Sequence, residues 1–227
     1  MQLFPVFLDL AHRPCLVVGG GTVGCDKAAG LAAAGAYVLV VDPSPSAGVL
    51  ALAAVEGGMV VEARAFEEGD CAGRVLVFAC TDDERVNAAV ARAAAARAVL
   101  CCRADGGGDF STGALLRRGE VCVAVSSGGA SPVLAAEARD RIAAVVGDEF
   151  GVAAQLLGTL RERLRGSVAD ASARARALGG NLVGDLLEAV RDGRAAAAAA
   201  LVETAFDAAC RSAEDAPRAA QGDRCTR

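Results

Sequence analysis

The segment Val17-Val18-Gly19-Gly20-Gly21-Thr22-Val23-Gly24 constrains the fold more than any other part of the chain. Gly19, Gly21 and Gly24 occupy the three positions of G-x-G-x-x-G, between a short apolar run and a helix-compatible stretch. Each position has a physical task. The first glycine allows a tight turn and the second lets backbone approach a pyrophosphate. The third lets a helix pack close to the strand while its N-terminus, with Thr22 and Val23, faces the phosphates. In a sequence with 27 glycines the motif alone also fits a plain glycine turn. Context favours the nucleotide: Asp42 ends the next apolar run about 20 residues on, where a carboxylate accepts hydrogen bonds from ribose hydroxyls. That carboxylate would repel a 2′-phosphate, so the expected cofactor is NAD.

The surrounding pattern is that of a parallel sheet with crossover helices. Strands are expected at Cys15–Val18, Tyr37–Val41, Met59–Glu62, Val75–Ala79 and Val99–Cys102, and helices at Thr22–Ala34, Ala47–Glu56 and Glu84–Ala98. Beyond Cys102 the texture changes to a Gly106–Gly108 turn, an apolar segment through Leu115 and Leu116, and a period-two run over Val121–Ser126. Ser131-Pro132 opens a helix as N-cap and first helical residue. From Phe150 the pattern is helical, with Leu156, Leu157, Leu160 and Leu164 on one face, then helices at Asn181–Val190 and Arg194–Ser212. The fold class is therefore α/β: a Rossmann-type parallel sheet, a small segment with strands, and a C-terminal helical domain.

Composition narrows the function. A net charge of −5 supplies no overall positive field for nucleic acid. The apolar run Ala195–Val202 is far short of the roughly 20 residues a spanning helix needs, so no membrane span is expected. Leu3–Leu10 lacks a basic region ahead of it and leads into a strand pattern, which argues against export. Nine scattered cysteines without C-x-x-C or Cys/His spacing read as reduced, mostly packing thiols in the cytoplasm, and no metal cluster is expected. The adjacent Cys101 and Cys102 stand out, and His12, the sole histidine, falls outside every motif.

Several further motifs occur in order. They are Leu3–Leu8, Val18–Gly21 with Lys27, Ala79-Cys80-Thr81-Asp82-Asp83 with Asn87, Asp105, Phe110, and Val125-Ser126-Ser127-Gly128-Gly129-Ala130-Ser131-Pro132. Together they resemble the precorrin-2 dehydrogenase/sirohydrochlorin ferrochelatase family, also known as the N-terminal part of siroheme synthase, over about residues 3–165. The resemblance implies NAD-dependent oxidation of precorrin-2 to sirohydrochlorin and, in many members, insertion of Fe²⁺ as a second substrate. It implies Asp105 as the catalytic carboxylate, a proton acceptor in both reactions. Thr81 and Asp82 join Gly19, Gly21, Thr22, Val23, Gly24 and Asp42 as cofactor-binding residues. Ser126, Ser127, Gly128, Gly129, Arg117 and Arg118 are candidate contacts for a tetrapyrrole rich in carboxylates, with Arg139 and Arg141 as further cations. The family is homodimeric through its middle segment, which divides this chain into 1–108 (nucleotide domain), 109–147 (dimerisation and active-site segment), 148–212 (helical domain) and a polar tail, 213–227, expected to be disordered. The expected cleft lies between the nucleotide domain and the middle segment.

Other readings compete. Asp105 with Gly106 is also a turn signal, and Ser126–Gly129 is also an ordinary loop and helix cap. Cys102 and Gly106–Gly108 depart from the family pattern, and the loop from Asp105 to Phe110 is short, which bears on metal insertion more than on NAD binding. The alternatives are a dehydrogenase without chelatase activity, and a non-enzymatic NAD-sensing regulator.

Overall fold

The structure, a computed structural model, describes residues 3–214, which form two compact units meeting at Ser111 and Thr112. The first contains strands β1 (Pro14–Val18), β2 (Tyr37–Val41), β3 (Met59–Glu62), β4 (Leu76–Ala79) and β5 (Leu100–Arg103). Its helices are α1 (Thr22–Ala33), α2 (Ala47–Val55) and α3 (Glu84–Ala95). All strand pairs are parallel and the order is β3-β2-β1-β4-β5, so the chain reverses its direction of winding at β1 and β4. These two strands read as continuous apolar runs because helices cover both faces of the sheet. Every residue of Leu76–Ala79 is buried, and Leu16 and Val17 are fully so. Burial of each such side chain stabilises the fold by about 1.5–3 kcal/mol.

Helix starts follow from local chemistry. Ser46 caps α2 by accepting from Val49 N, and Asp83 caps α3 by accepting from Arg85 N. No side chain caps α1, which begins after Gly21. The third helix ends at Ala95 rather than Ala98, and Ala98 adopts a positive φ of 54°. Residues 3–10 carry no regular secondary structure, and Phe4 and Phe7 are exposed.

The second unit starts with an antiparallel hairpin, β6 (Ala114–Arg118) and β7 (Val121–Val125). Its two-residue turn has Gly119 at φ 55°, as the first position of a type II′ turn requires. Five helices follow: α4 (Pro132–Ala143), α5 (Glu149–Ser167), α6 (Ala171–Ala177), α7 (Leu182–Arg191) and α8 (Ala195–Glu214). Leu160 and Leu164 are fully buried, while Leu156 and Leu157 pack partly buried against the same core. That core includes Leu186 and Val202. The short α6, absent from the sequence pattern, is capped by Asp170, which accepts from Ser172 N and Ala173 N. The helix α5 approaches the hairpin so closely that a Cβ on Gly151 would lie 2.8 Å from Arg118 O. The tail assigned to 213–227 falls almost wholly outside the described residues.

Candidate active site

In the first unit the carboxyl ends of β1, β2, β4 and β5 carry the candidate residues to one edge of the sheet. In open α/β sheets this edge, where winding reverses, is where ligands bind. The three glycines after β1 have different surroundings. Gly19 has φ 104°, and a Cβ there would meet Cys80 O at 2.5 Å. On Gly24 a Cβ would lie 1.8 Å from Gly19 O, whereas one on Gly21 would have nothing within 4 Å. Two glycines are thus required by the fold itself. The third leaves open space above the uncapped end of α1, with Gly21, Thr22 and Val23 exposed. That combination fits a pyrophosphate group.

Asp42 has a structural duty as well as its candidate one. Its Oδ2 accepts from Gly20 N and its Oδ1 accepts from Ser44 N at 2.6 Å, so it braces the phosphate loop. A carboxylate has about four acceptor positions, and the half-buried side chain keeps capacity for ribose hydroxyls.

After β4, Thr81 is held by Asn87, the one fully buried polar side chain among the described residues. Asn87 Oδ1 accepts from Thr81 N (3.1 Å) and the Thr81 hydroxyl (2.8 Å), while its Nδ2 donates to Thr81 O (2.9 Å) and to Asp105 Oδ2 (3.3 Å). Asp82 is exposed beside this loop. Sequence reasoning used Asn87 only as part of a motif and assigned it no place in the site. Its signal was a lone amide on the apolar face of α3, where an unpaired amide would be costly.

Asp105 follows β5 and pairs in fork geometry with Arg103, whose Nε donates to Oδ1 (2.9 Å) and whose Nη2 donates to Oδ2 (2.7 Å). The Arg103 guanidinium beside it, assisted by the Asn87 amide, holds this carboxyl below the usual carboxylate range. Its side chain remains 18% exposed, enough for a ligand to reach it. The short loop then turns back along β5. Gly106, Gly107 and Gly108 all have positive φ, Gly108 bridges antiparallel to Cys102, and Asp109 Oδ2 accepts from Cys101 N at 2.9 Å. Phe110 packs edge-on to Phe78, and the Lys27 ammonium lies 6.0 Å from the Phe78 ring.

The thiols nearby are packing groups. Burial pushes Cys101 up to about 12 and Cys80 up to about 11, and it raises Cys102 as well. All three are therefore protonated and poorly nucleophilic at neutral pH. His12 stands 5.6 Å from the Tyr37 ring at the opposite end of the strands.

The remaining candidates lie in the second unit. Ser126 Oγ accepts from Gly128 N, Ser127 Oγ accepts from Ser131 N and donates to Ser131 O, and Ser131 Oγ accepts from Leu134 N. Gly128 and Gly129 carry successive positive φ values of 65° and 85°, which shape this loop ahead of α4. Arg117 is exposed, whereas Arg118 donates to Val146 O and pairs with Asp148. Arg139 and Arg141 pair with Asp140 and Glu137. The hairpin register sets Arg117 and Arg118 at the turn and Ser126 at the open end, roughly 14–17 Å apart at about 3.4 Å per residue. The two groups are not brought together within this unit.

Among the described residues no group of three or more His, Cys, Asp or Glu is placed to hold a metal ion, and no helix is long and apolar enough to cross a membrane.

These features define a Rossmann-type nucleotide-binding protein, and residues 6–114 match a family model described as putative NAD(P)-binding. The chain is 40% identical over 221 residues to the siroheme synthase of Methylococcus capsulatus, a match covering 93% of this chain and 45% of that protein. It is 39% identical over 206 residues to the siroheme synthase of Pseudomonas aeruginosa, covering 89% and 44%. Among solved structures it resembles "SirC, precorrin-2 dehydrogenase", with a TM-score of 0.72 at 23% identity over 90% of this chain and 100% of that one. At that identity the likeness concerns the fold. The chain spans about half the length of the curated relatives it matches, and along that stretch it is similar to siroheme synthases.

Proposed function

We propose that this chain oxidises precorrin-2 to sirohydrochlorin, with NAD⁺ becoming NADH and one proton being released. The observation that carries this reading is a carboxylate, Asp105, at the carboxyl end of β5, paired with Arg103 and tied through Asn87 to the loop that follows β4. A nucleotide-sensing domain would need the glycine loop and Asp42 but no such acid. The siroheme synthase relatives and the fold of the precorrin-2 dehydrogenase SirC support the same choice. Bound NAD⁺ supplies the hydride acceptor. Gly19–Gly24 and the start of α1 hold its pyrophosphate, Asp42 accepts from its ribose, Thr81 and Asp82 border it, and Asp105 takes the substrate proton. Ser126–Gly129, Arg117 and Arg118 are the proposed contacts for substrate carboxylates. The test is incubation with precorrin-2 and NAD⁺, with and without Fe²⁺, following sirohydrochlorin and siroheme separately by absorbance. Unchanged precorrin-2 would refute the reading. Siroheme formed only in the presence of protein would add Fe²⁺ insertion, for which Asp105 is again the proton acceptor.

Selectivity for NAD⁺ over NADP⁺ rests on Asp42. Asp42→Ala is expected to weaken NAD⁺ binding roughly tenfold to a hundredfold, since hydrogen bonds to a charged group contribute about 1.5–3 kcal/mol. It should also relax discrimination against NADP⁺; calorimetry with both nucleotides checks this, and an unchanged NAD⁺ affinity would remove Asp42 from the site.

The working unit on this reading is a homodimer built through 109–147, followed by the helical 148–212 and preceded by the nucleotide domain 1–108. Val133, Leu134 and Val145 are 79%, 60% and 70% exposed around α4, an apolar surface that a second copy would cover. Light scattering at micromolar concentration should give twice the chain mass. The eight described cysteines are free, which suits action in the reducing cytoplasm.

A further inference from the structure

Asn87 is the only buried polar side chain among the described residues, and it sits on α3 beneath two loops that follow different strands. A buried amide that served α3 alone would bond to its own helix. Instead its carbonyl accepts twice from Thr81, and its amide donates once to Thr81 O and once to Asp105 Oδ2. We propose that Asn87 is a positioning residue, joining the Asp105 carboxylate to the Thr81 loop so that the acid and the nucleotide side of the site keep one fixed geometry.

The proposal rests on Asp105 being the proton acceptor in the proposed oxidation. The other group bound to that carboxylate is Arg103, on which Glu84 of α3 also acts. Arg103 comes from the same strand as Asp105 and is 28% exposed, so its fork can swing with the acid. Asn87 cannot, being fully enclosed and bound to Thr81 at three points. It therefore fixes where the carboxylate stands relative to the nucleotide, while Arg103 mainly supplies charge.

Asn87→Asp keeps the shape and the acceptor facing Thr81 N but replaces the donor amide by an acid beside Asp105. Carbon-13 NMR titration of the Asp105 carboxyl, identified by its loss in Asp105→Asn, reads this contact without any turnover. Its midpoint is expected to rise by about one unit or more, as for two carboxyls sharing a site. Asn87→Ser, combined with Asp105→Asn, tests the role itself. Alone it should lower the kcat of precorrin-2 oxidation about tenfold or more with a smaller change in KM; in the Asp105→Asn background the same change should have little further effect, since residues acting as a unit are non-additive. An unmoved Asp105 titration, or equal losses in both backgrounds, would overturn the proposal. Should Asn87→Asp not fold, Thr81→Val removes one of the hydrogen bonds holding Asn87, and the Asp105 midpoint should still move. A wild-type protein that leaves precorrin-2 unchanged would instead refute the dehydrogenase reading, an outcome the titration separates from failure of the Asn87 contact.

Discussion

Asp105→Asn is expected to slow precorrin-2 oxidation by about 10²–10⁴-fold, the usual contribution of a positioned proton acceptor, while leaving NAD⁺ affinity unchanged. Asparagine preserves the size of the side chain, and its single oxygen in the Oδ2 position can still accept from Asn87 and from Arg103 Nη2, with only the Arg103 Nε bond given up, so thermal unfolding close to that of the wild type would separate the loss from a folding defect. What disappears is the negative charge able to take a proton. The pH dependence follows from its surroundings. Arg103 first, and Asn87 second, hold the carboxyl below its ordinary range, so it stays ionised as pH falls until well into acid, and activity should be lost only there. Arg103→Gln removes the larger stabilisation of the charged form, which moves the acid limb of the rate profile to higher pH. Steady-state rates across pH for the three proteins test both statements. An Asp105→Asn enzyme with wild-type rates would assign the reaction to another group.

Gly24→Ala is expected to damage both fold and cofactor binding, although it adds one methyl group. That methyl would lie 1.8 Å from Gly19 O and 2.8 Å from Gly19 C, both backbone atoms that no rotamer change can move. The start of α1 must then lift away from β1, at a cost of about 1–3 kcal/mol or more for forced overpacking. Thermal unfolding should fall by several degrees, since each kcal/mol lowers the midpoint by roughly 4–8 °C in a small domain. Binding of NAD⁺ should be lost in calorimetry. The contrast is Gly21→Ala, where the new methyl meets nothing within 4 Å. That variant should unfold like the wild type yet bind NAD⁺ poorly, because the methyl stands where the pyrophosphate must approach. If the two variants behaved alike, the division of labour between these glycines would be wrong.

The parallel sheet was legible because its strands are short apolar runs separated by crossover stretches, and a strand buried on both faces has little room for polar residues. The five expected strands match the observed ones to within a residue at each end. The end of α3 was harder to read. The chain leaves the helix through Ala98 in a left-handed conformation, where glycine is the usual marker, so an unbroken alanine run concealed the stop. The helix α6 was hidden for a similar reason: its cap, Asp170, is a local signal, but seven residues give too little periodicity to register. In the candidate site, Gly19, Gly21, Gly24 and Asp42 can be picked out from spacing, because a glycine turn between strand and helix is a local device, and the structure sets all four at the carboxyl ends of β1 and β2. Asn87 and Arg103 could not be given roles. Asn87 reaches Asp105 only because β4 and β5 lie side by side, a pairing that spacing along the chain does not contain, whereas Arg103 stands two residues from Asp105 and pairs with it locally.

The amino-acid sequence therefore determined the glycine loop after β1, the sheet that carries it and the helical character of the C-terminal part, all consequences of local stereochemistry and of alternation between apolar and polar residues. Tertiary structure alone decided that a buried amide joins Asp105 to Thr81, that Asp42 braces the glycine loop, and that Cys80 and Cys101 are buried. Each of these is a contact between residues remote in sequence or a degree of burial. Both are fixed only when the sheet closes and water leaves.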